Sequence, residues 1–305
     1  MTPNKFKDWS KKRAKETQTP ITIVQRDYIL DEVLKRIANS EYRNNLVFKG
    51  GFYVQSLLGT NSRTTEDLDT TLIHKKNSEK EVMSFIQNTL SGTSEEGIIF
   101  SDFKIDDTRE EAEYPGFRIR GGAFIGKTRI PFKMDITTGD AIVPSPIVHE
   151  HKLMFDNRSL KILAYPIEQV IAEKLQTILS RSENNSRSKD FYDITLIQKK
   201  MKIDYKSLFV AFQATCKKRN TNFTSKQIMT RLERIKHSPR VNKYWQQYVS
   251  KPENHYAKDL SFSDVMDATN KLFTEMNLNN KRPDSSLEKG VSRLHFDPLN
   301  QSKRR

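Results

Sequence analysis

The chain of 305 residues has very little cysteine and no long apolar run. Its single cysteine, Cys216, cannot form an internal disulfide, and no cluster of cysteines and histidines offers a zinc site. No apolar run approaches the ~20 residues that a membrane-spanning helix requires. Residues 1–20 contain basic residues but no apolar stretch after them, which argues against a secretory signal. These absences predict a soluble cytoplasmic protein.

Acidic residues are in the minority, with 38 Asp and Glu against 52 Lys and Arg and a formal net charge of +14. A chain with this balance attracts polyanions such as nucleic acid, nucleotides or acidic proteins. The charge alone does not choose among them. Hydrophobic residues make up 35% of the chain, and 17 Phe and 10 Tyr help to supply a core.

The first half of the chain alternates segments with strand and helix patterns. The predicted elements are a helix at 21–39, a strand at 45–51 that ends in Gly-Gly, a helix at 52–59 closed by glycine, a strand at 68–74 and a helix at 78–90. Two β-rich runs follow at 117–125 and 127–136, and the glycine between them predicts a hairpin. A further strand is predicted at 161–166.

The second half has mostly helical patterns. Helices are predicted at 166–181, 190–201, 205–219, 225–237, 240–250 and 262–276. The proline-containing segment 139–150 is the candidate domain boundary. The sequence therefore predicts an α+β protein. Its first domain, at 1–145, has a mixed sheet with helices and an N-terminal helical extension. A helical second domain at 146–277 and a basic tail at 278–305 follow.

The segment TEDLDTT at 65–71 concentrates acidic residues in a basic chain. Three interpretations compete: a solvated acidic turn, a helix N-terminus and a metal site. If the segment is extended, Asp67 and Asp69 project from the same face, because side chains two apart in a strand do so. Two adjacent carboxylates repel each other unless a cation lies between them or one is protonated. Mg²⁺ prefers such oxygen ligands, together with water and phosphate.

Two other features favour the metal interpretation. Asp135 lies on the polar face of a later predicted strand, where it could complete a site for two ions, although an acid there could equally protect an edge strand. The glycines of Lys49-Gly50-Gly51 follow a strand and precede a helix, so their N–H groups could bind a phosphate, or they could form only a tight turn. Arg63 could hold a phosphate or cap the turn before the acids.

The helical half contributes a second group of charged candidates. Lys174 falls in the middle of the apolar stripe of the first helix there, so it must either extend to solvent along its stem or meet an anion. The start of the next helix contains Arg187, Lys189, Asp190 and Asp193. Acids in a first turn also compensate the helix dipole, and the cations could belong to a solvated loop.

Two histidines at 149 and 151 form a His-x-His pattern without an evident third metal ligand. They lie beside the proline-containing segment, and the interpretation from sequence is that both are surface residues. The aromatic residues of the C-terminal helices are assigned to the core, because no basic–aromatic ladder argues for base stacking.

The segment LVFKGGFYVQSLLGTNSRTTEDLDTTL resembles the opening motif of the AbiEii/AbiGii toxin family, which has a Lys-Gly-Gly turn, a short helix, an Arg and then Asp-x-Asp. A second block, YPIEQVIAEKLQTILSR followed by RSKDFYDI, resembles the family's Glu-Lys helix and its Arg-x-Lys/Arg-Asp-x-x-Asp segment. The resemblance covers residues 25–200. The chain departs from the pattern at Phe52, where the family often has a small hydroxyl residue.

The resemblance implies a nucleotidyltransferase-superfamily fold, an NTP substrate such as GTP, and two Mg²⁺ ions. The reaction implied is transfer of a nucleoside monophosphate to an acceptor hydroxyl. The residues assigned to catalysis are Asp67, Asp69, Asp135, Lys174 and Asp190, of which the first three are also the metal ligands. The residues assigned to nucleotide binding are Lys49, Gly50, Gly51, Arg63, Lys174, Lys189 and Asp193.

The same resemblance implies a bacterial toxin of a toxin–antitoxin or phage-defence pair. It gives a cognate antitoxin as the partner and the tRNA 3′ end as a candidate acceptor, with which the basic charge is compatible. Two alternatives stay open from the residues. One is a nucleotidyltransferase that modifies a small hydroxylated molecule, as antibiotic-modifying enzymes do. The other is a non-catalytic module that binds a nucleotide or a protein.

Overall fold

The computed structural model describes residues 1–59, 62–107, 116–156 and 158–279, and these form two compact units. The first unit comprises Met1–Asp140 and Ile147–Ala164. Among the described residues, the second comprises Ala141–Pro146 and Tyr165–Asn279. The chain thus passes between the units more than once, at both ends of the segment 141–146 and again after Ala164. Residues 280–305 of the predicted basic tail lie outside the described part.

A mixed β-sheet forms the centre of the first unit, and the described residues give it eight strands. The strands are β1 Leu46–Lys49, β2 Leu68–Leu72, β3 Gly92–Thr93, β4 Ile99–Asp107, β5 Gly116–Ile125, β6 Thr128–Thr138, β7 Ile147–Lys152 and β8 Ser159–Ala164. Their spatial order is β3-β4-β5-β6-β2-β1-β8-β7. The β2–β6 and β1–β8 pairs are parallel and the other pairs are antiparallel. The predicted mixed sheet is confirmed, with β7 and β8 at its edge.

The hairpin of β5 and β6 follows the predicted pattern. Gly126 adopts a φ of +59° in the two-residue turn, a left-handed conformation that favours glycine. Along β6, alternate apolar residues including Phe132 and Met134 are buried. The residues between them, such as Lys133 and Asp135, lie on the opposite face. The apolar face packs against helix α2 (Ile21–Ala38), which leaves the polar face available for a site.

Three further helices belong to the first unit: α1 Pro3–Thr17, α3 Gly50–Leu58 and α4 Glu79–Phe85, which continues as a π-helical turn at Ile86–Leu90. The sequence patterns did not predict α1, which begins at Pro3 after the capping residue Thr2. The predicted glycine end of α3 is confirmed by Gly59, whose N–H donates to the carbonyl of Gln55.

Helices make up the second unit and confirm the predicted helical half. They are α5 Ile167–Arg181, α6 Ser188–Lys200, α7 Tyr205–Lys218, α8 Ser225–Lys236, α9 Pro239–Val249 and α10 Phe262–Asn279. The apolar stripe of α5 is buried, including Ile171, Leu175 and Ile178. In the described part of the chain, none of the helices has the length and apolar character needed to cross a membrane.

The assignment of His149 and His151 to the surface is wrong. His151 is buried, its Nε2 lies 2.8 Å from Asp31 Oδ1, and its Nδ1 lies 2.7 Å from Ser56 Oγ. The half-buried His149 places its Nε2 2.7 Å from the same Ser56 oxygen. Burial, together with the nearby His151, lowers the pKa of His149 to about 4. These hydrogen bonds join β7 to α2 and α3, so the two histidines connect elements of the first unit.

Candidate functional site

The three predicted metal ligands meet on the polar face of the central strands. Strands β2 and β6 run parallel, and Asp69 pairs directly with Asp135 across them. Asp67 immediately precedes β2. Each of the three carboxylates offers an oxygen within 4.8 Å of the others, and all three residues are partly exposed. We call this group the carboxylate triad. A set of close, accessible carboxylate oxygens is the donor chemistry that a hard divalent cation such as Mg²⁺ requires.

The Gly50-Gly51 turn is shaped around the triad. Gly50 has a φ of +63°, and a Cβ added there would lie 1.9 Å from Asp69 Oδ2. The N–H of Gly51 donates a 3.3 Å hydrogen bond to that same oxygen. A Cβ on Gly51 would lie 2.3 Å from Nη1 of Arg63, whose side chain is buried beside the turn. The left-handed backbone and the close approach of Asp69 explain the glycine at 50, whereas a side chain at 51 would have to displace Arg63. The turn orients Asp69. Phosphate binding by this turn and by Arg63 stays a prediction.

Arg118 on β5 is a member of the site that sequence reasoning missed. It pairs with Asp135 in the β5–β6 hairpin. Its Nε donates to Asp135 Oδ1 and its Nη2 to Oδ2, each at 2.8 Å. A bidentate contact of this kind fixes the orientation of a carboxylate as well as neutralising it. The signal was present in the sequence, because counting outward from the turn at Gly126 places Arg118 opposite Asp135.

Lys49 makes its observed contacts with side chains of the sheet. Its Nζ donates to Thr137 Oγ1 at 2.9 Å and forms an ion pair with Asp140, whose side chain is fully buried. Thr71 and Thr137 also donate to the Asp140 carboxylate. Burial alone would raise the pKa of Asp140, but the ion pair and these hydrogen bonds outweigh it and hold the pKa below its usual range. Sequence reasoning did not identify Asp140, because it lies in the loop after β6.

The charged candidates of the second unit form their own cluster. The buried Lys174 on α5 places Nζ 2.8 Å from Asp190 Oδ1 and 2.7 Å from Asp193 Oδ2, both on α6. Arg187 Nε lies 2.7 Å from the other Asp190 oxygen, whereas Lys189 is exposed. Burial alone would raise the pKa of Asp190. The positive charges of Lys174 and Arg187 outweigh that effect and hold the pKa well below its usual range. Of the two alternatives for Lys174, the structure shows an anion partner.

A basic groove lies beside the strands that carry the carboxylate triad. It has a volume of about 730 Å³. Its lining contains five basic side chains from α2 and from strands β4 to β6, namely Arg26, Lys104, Arg120, Arg129 and Lys133, together with the acids Glu66 and Asp102. Two lining residues are close to the triad in the chain: Lys133 precedes Asp135 by two residues on β6, and Glu66 directly precedes Asp67. The groove and the triad are therefore neighbours.

The order of these features along the chain is also that of a known family. The sequence matches the family model described as nucleotidyl transferase AbiEii toxin, type IV toxin–antitoxin system, over residues 32–268. The chain belongs to this family. Membership of the AbiEii family confirms the resemblance found in the sequence, and a type IV toxin–antitoxin family implies an antitoxin partner. Comparison with curated protein sequences found no match.

The comparison of this AbiEii family member with solved structures includes three matches of low sequence identity. One is a nucleotidyltransferase candidate from H. pylori, with 16% identity and a TM-score of 0.44, which covers 85% of this chain and 98% of its own. JHP933 from Helicobacter pylori has 16% identity and a TM-score of 0.46, covering 86% and 96%. An antigenic nucleotidyltransferase-like protein from Paracoccidioides brasiliensis has 15% identity and a TM-score of 0.35, covering 72% and 92%.

Proposed function

We propose that the chain transfers a nucleoside monophosphate from an NTP to an acceptor hydroxyl. In this reaction the acceptor oxygen bonds to the α-phosphorus, the bond from that phosphorus to the pyrophosphate oxygen breaks, and the hydroxyl proton is lost to solvent. The observation that carries the proposal is the convergence of Asp67, Asp69 and Asp135 from neighbouring strands. Mg²⁺ held there would neutralise phosphate charge and lower the pKa of the attacking hydroxyl.

The protein's own groups have separable roles in this proposal. The triad holds the metal, and Gly51 keeps one Asp69 oxygen in place through its N–H group. The N–H groups of the glycine turn and Arg63 are assigned to the phosphates. The family resemblance implies roles for Lys174 and Asp190 in the reaction, and their buried ion pair gives them a structural role as well.

The test of this proposal is transfer of label from an α-phosphate-labelled NTP to total RNA, with Mg²⁺ or with a chelator. We expect wild type to label RNA only with Mg²⁺. The double variant Asp67→Asn/Asp69→Asn should lose about a thousandfold or more in rate, because the charge stabilisation removed is worth several kcal/mol. Asp106→Asn is the matched control, since Asp106 lies on the same face but pairs with Arg120. A folded double variant with full activity and toxicity would refute the proposal.

We further propose a polyanionic acceptor such as the tRNA 3′ end, in preference to a small hydroxylated molecule. The support is the basic groove, which offers phosphate-binding side chains directly beside the triad. The small-molecule alternative predicts labelled products in reactions that contain no RNA.

The groove is tested by tRNA binding over a range of salt concentrations. Lys104→Ala/Lys133→Ala should weaken binding and reduce the salt dependence by about one to two phosphate contacts. The control, Lys226→Ala/Arg234→Ala, removes two exposed basic residues from α8. Equal losses in the two double variants would show that net charge alone, and not the groove, attracts RNA.

The cellular role follows from the family. We propose that the chain is the cytoplasmic toxin of a phage-defence pair and that its antitoxin prevents growth inhibition. Expression without the antitoxin should arrest growth, and the Asp67→Asn/Asp69→Asn variant should not. Normal growth on expression of a folded, catalytically active wild-type chain would refute a toxin role while leaving the reaction intact.

A further inference from the structure

The carboxylate triad has a built-in counter-charge. Asp135 lies between Asp69 on β2 and Arg118 on β5, so acid, acid and base occupy three adjacent strands at one level of the sheet. Arg118 has another acidic neighbour in register, Asp106 on β4, but that carboxylate pairs with Arg120 at 3.0 Å. The guanidinium of Arg118 instead contacts both oxygens of Asp135. Arg118 therefore contacts a candidate metal ligand through both of its carboxylate oxygens.

The formal charges of this group suit one divalent ion. Three carboxylates and one guanidinium leave two negative charges, which a single divalent cation neutralises. A second ion placed at the triad would face both the first ion and the guanidinium. The Arg118–Asp135 pair is also held more firmly than a typical surface ion pair, because its geometry is bidentate and the Asp135 side chain is only 18% exposed.

We propose that Arg118 is a positioning residue that orients Asp135 and acts as a fixed positive charge, so that the nucleotide-free site holds one divalent ion. This inference rests on the proposed function, because it assumes that the triad binds metal. Charge and geometry make separate contributions. The positive charge limits metal binding, and the bidentate fork keeps the Asp135 oxygens in the orientation that the transfer reaction uses.

The test combines Mn²⁺ binding without nucleotide with transfer kinetics for Arg118→Met and Arg118→Lys. Titration calorimetry of wild type should give one Mn²⁺ per chain. Arg118→Met should bind Mn²⁺ about tenfold more tightly, the change expected when a unit charge about 5 Å from a divalent ion is removed at a water-like dielectric constant. Arg118→Lys keeps the charge and should bind as wild type does. Both variants should lower kcat with little change in KM, because neither Met nor Lys can make the two parallel hydrogen bonds that Arg118 donates to Asp135.

Arg120→Met is the matched control for metal affinity, since it removes the same charge from the same face of β5 but leaves Asp135 untouched. Its Mn²⁺ affinity should stay within about twofold of wild type. Melting curves establish that each variant is folded, and Arg118→Gln replaces Arg118→Met if that variant is not. An Mn²⁺ affinity that is unchanged in a folded neutral variant, or two ions bound by wild type, would overturn the inference. Absence of Mn²⁺ binding in wild type would instead refute the proposed metal site.

Discussion

Removal of the Lys174 ammonium should destabilise the second unit far more than loss of a surface charge would. Lys174 is 8% exposed, and the side chains of its partners Asp190 and Asp193 are 1% and 0% exposed. Lys174→Met leaves a buried carboxylate without its cation, which typically costs about 3–5 kcal/mol. At roughly 3 °C per kcal/mol for a region of this size, the melting temperature should fall by about 10 °C.

The loss should depend on pH and should be recoverable. The pKa of Asp190 is lowered in the folded state, so the ion pair stabilises the fold above the unfolded-state pKa and this stabilisation is lost as pH falls through the lowered value. In Lys174→Met the buried carboxylates lose this cation, so they should take up a proton at a higher pH than in wild type, which removes the uncompensated charge. The difference in melting temperature from wild type should therefore shrink as the pH falls toward 4. The double variant Lys174→Met/Asp193→Asn restores the charge balance and should recover most of the stability.

Thermal denaturation followed by circular dichroism at pH 7 and pH 4.5 measures both effects. A Lys174→Met protein that melts within 1 °C of wild type at pH 7 would refute the reasoning that the cluster stabilises the unit. The double variant also separates stability from function. If it is folded but inactive in transfer, Lys174 or Asp193 contributes to the reaction directly, as the family resemblance implies.

Three further outcomes are expected. Gly50→Ala should lower the melting temperature by several degrees and weaken Mn²⁺ binding measured by calorimetry, because the left-handed backbone costs about 1 kcal/mol and the new methyl group displaces Asp69. Lys49→Met should destabilise the first unit by about 3–5 kcal/mol in urea titrations, because it leaves the buried Asp140 carboxylate without its cation, whereas Lys49→Met/Asp140→Asn should recover stability. The lowered pKa of His149 means that protonation favours the unfolded state, so wild-type stability should rise between pH 4 and 6.5, and His149→Gln should flatten that rise in pH-dependent melting curves.

The residues of the carboxylate triad were predictable because their signals are local. Alternation along β6 places Asp135 on the polar face, and the spacing of Asp67 and Asp69 does the same at β2. The order of the blocks then identified the family. Periodicity could not give the parallel pairing of β2 with β6, which sets Asp69 beside Asp135. That pairing depends on how the whole sheet assembles, and it decides whether the acids meet.

The missed residues depend on contacts between distant segments. Arg118 and Asp140 acquire their roles from β-sheet register and from a buried ion pair, neither of which has a sequence period. His151 was assigned to the surface because a polar residue near prolines is usually exposed. Its burial is compensated by Asp31, a partner 120 residues earlier in the chain. Short-range sequence patterns therefore predicted the helices, the strands and the acids of the carboxylate triad. The residues that contact those acids depend on pairing between distant segments, which the patterns did not give.

The central place of β6 in the sheet has a consequence for biosynthesis. The ribosome synthesises Asp67 and Asp69 before Asp135. Strand β6 must then pair with β2 before the three acids can act together. A nascent or truncated chain that ends before β6 has only two of the ligands and lacks the strand that aligns them. The transfer activity proposed for the chain therefore requires that this strand has been synthesised and docked beside β2.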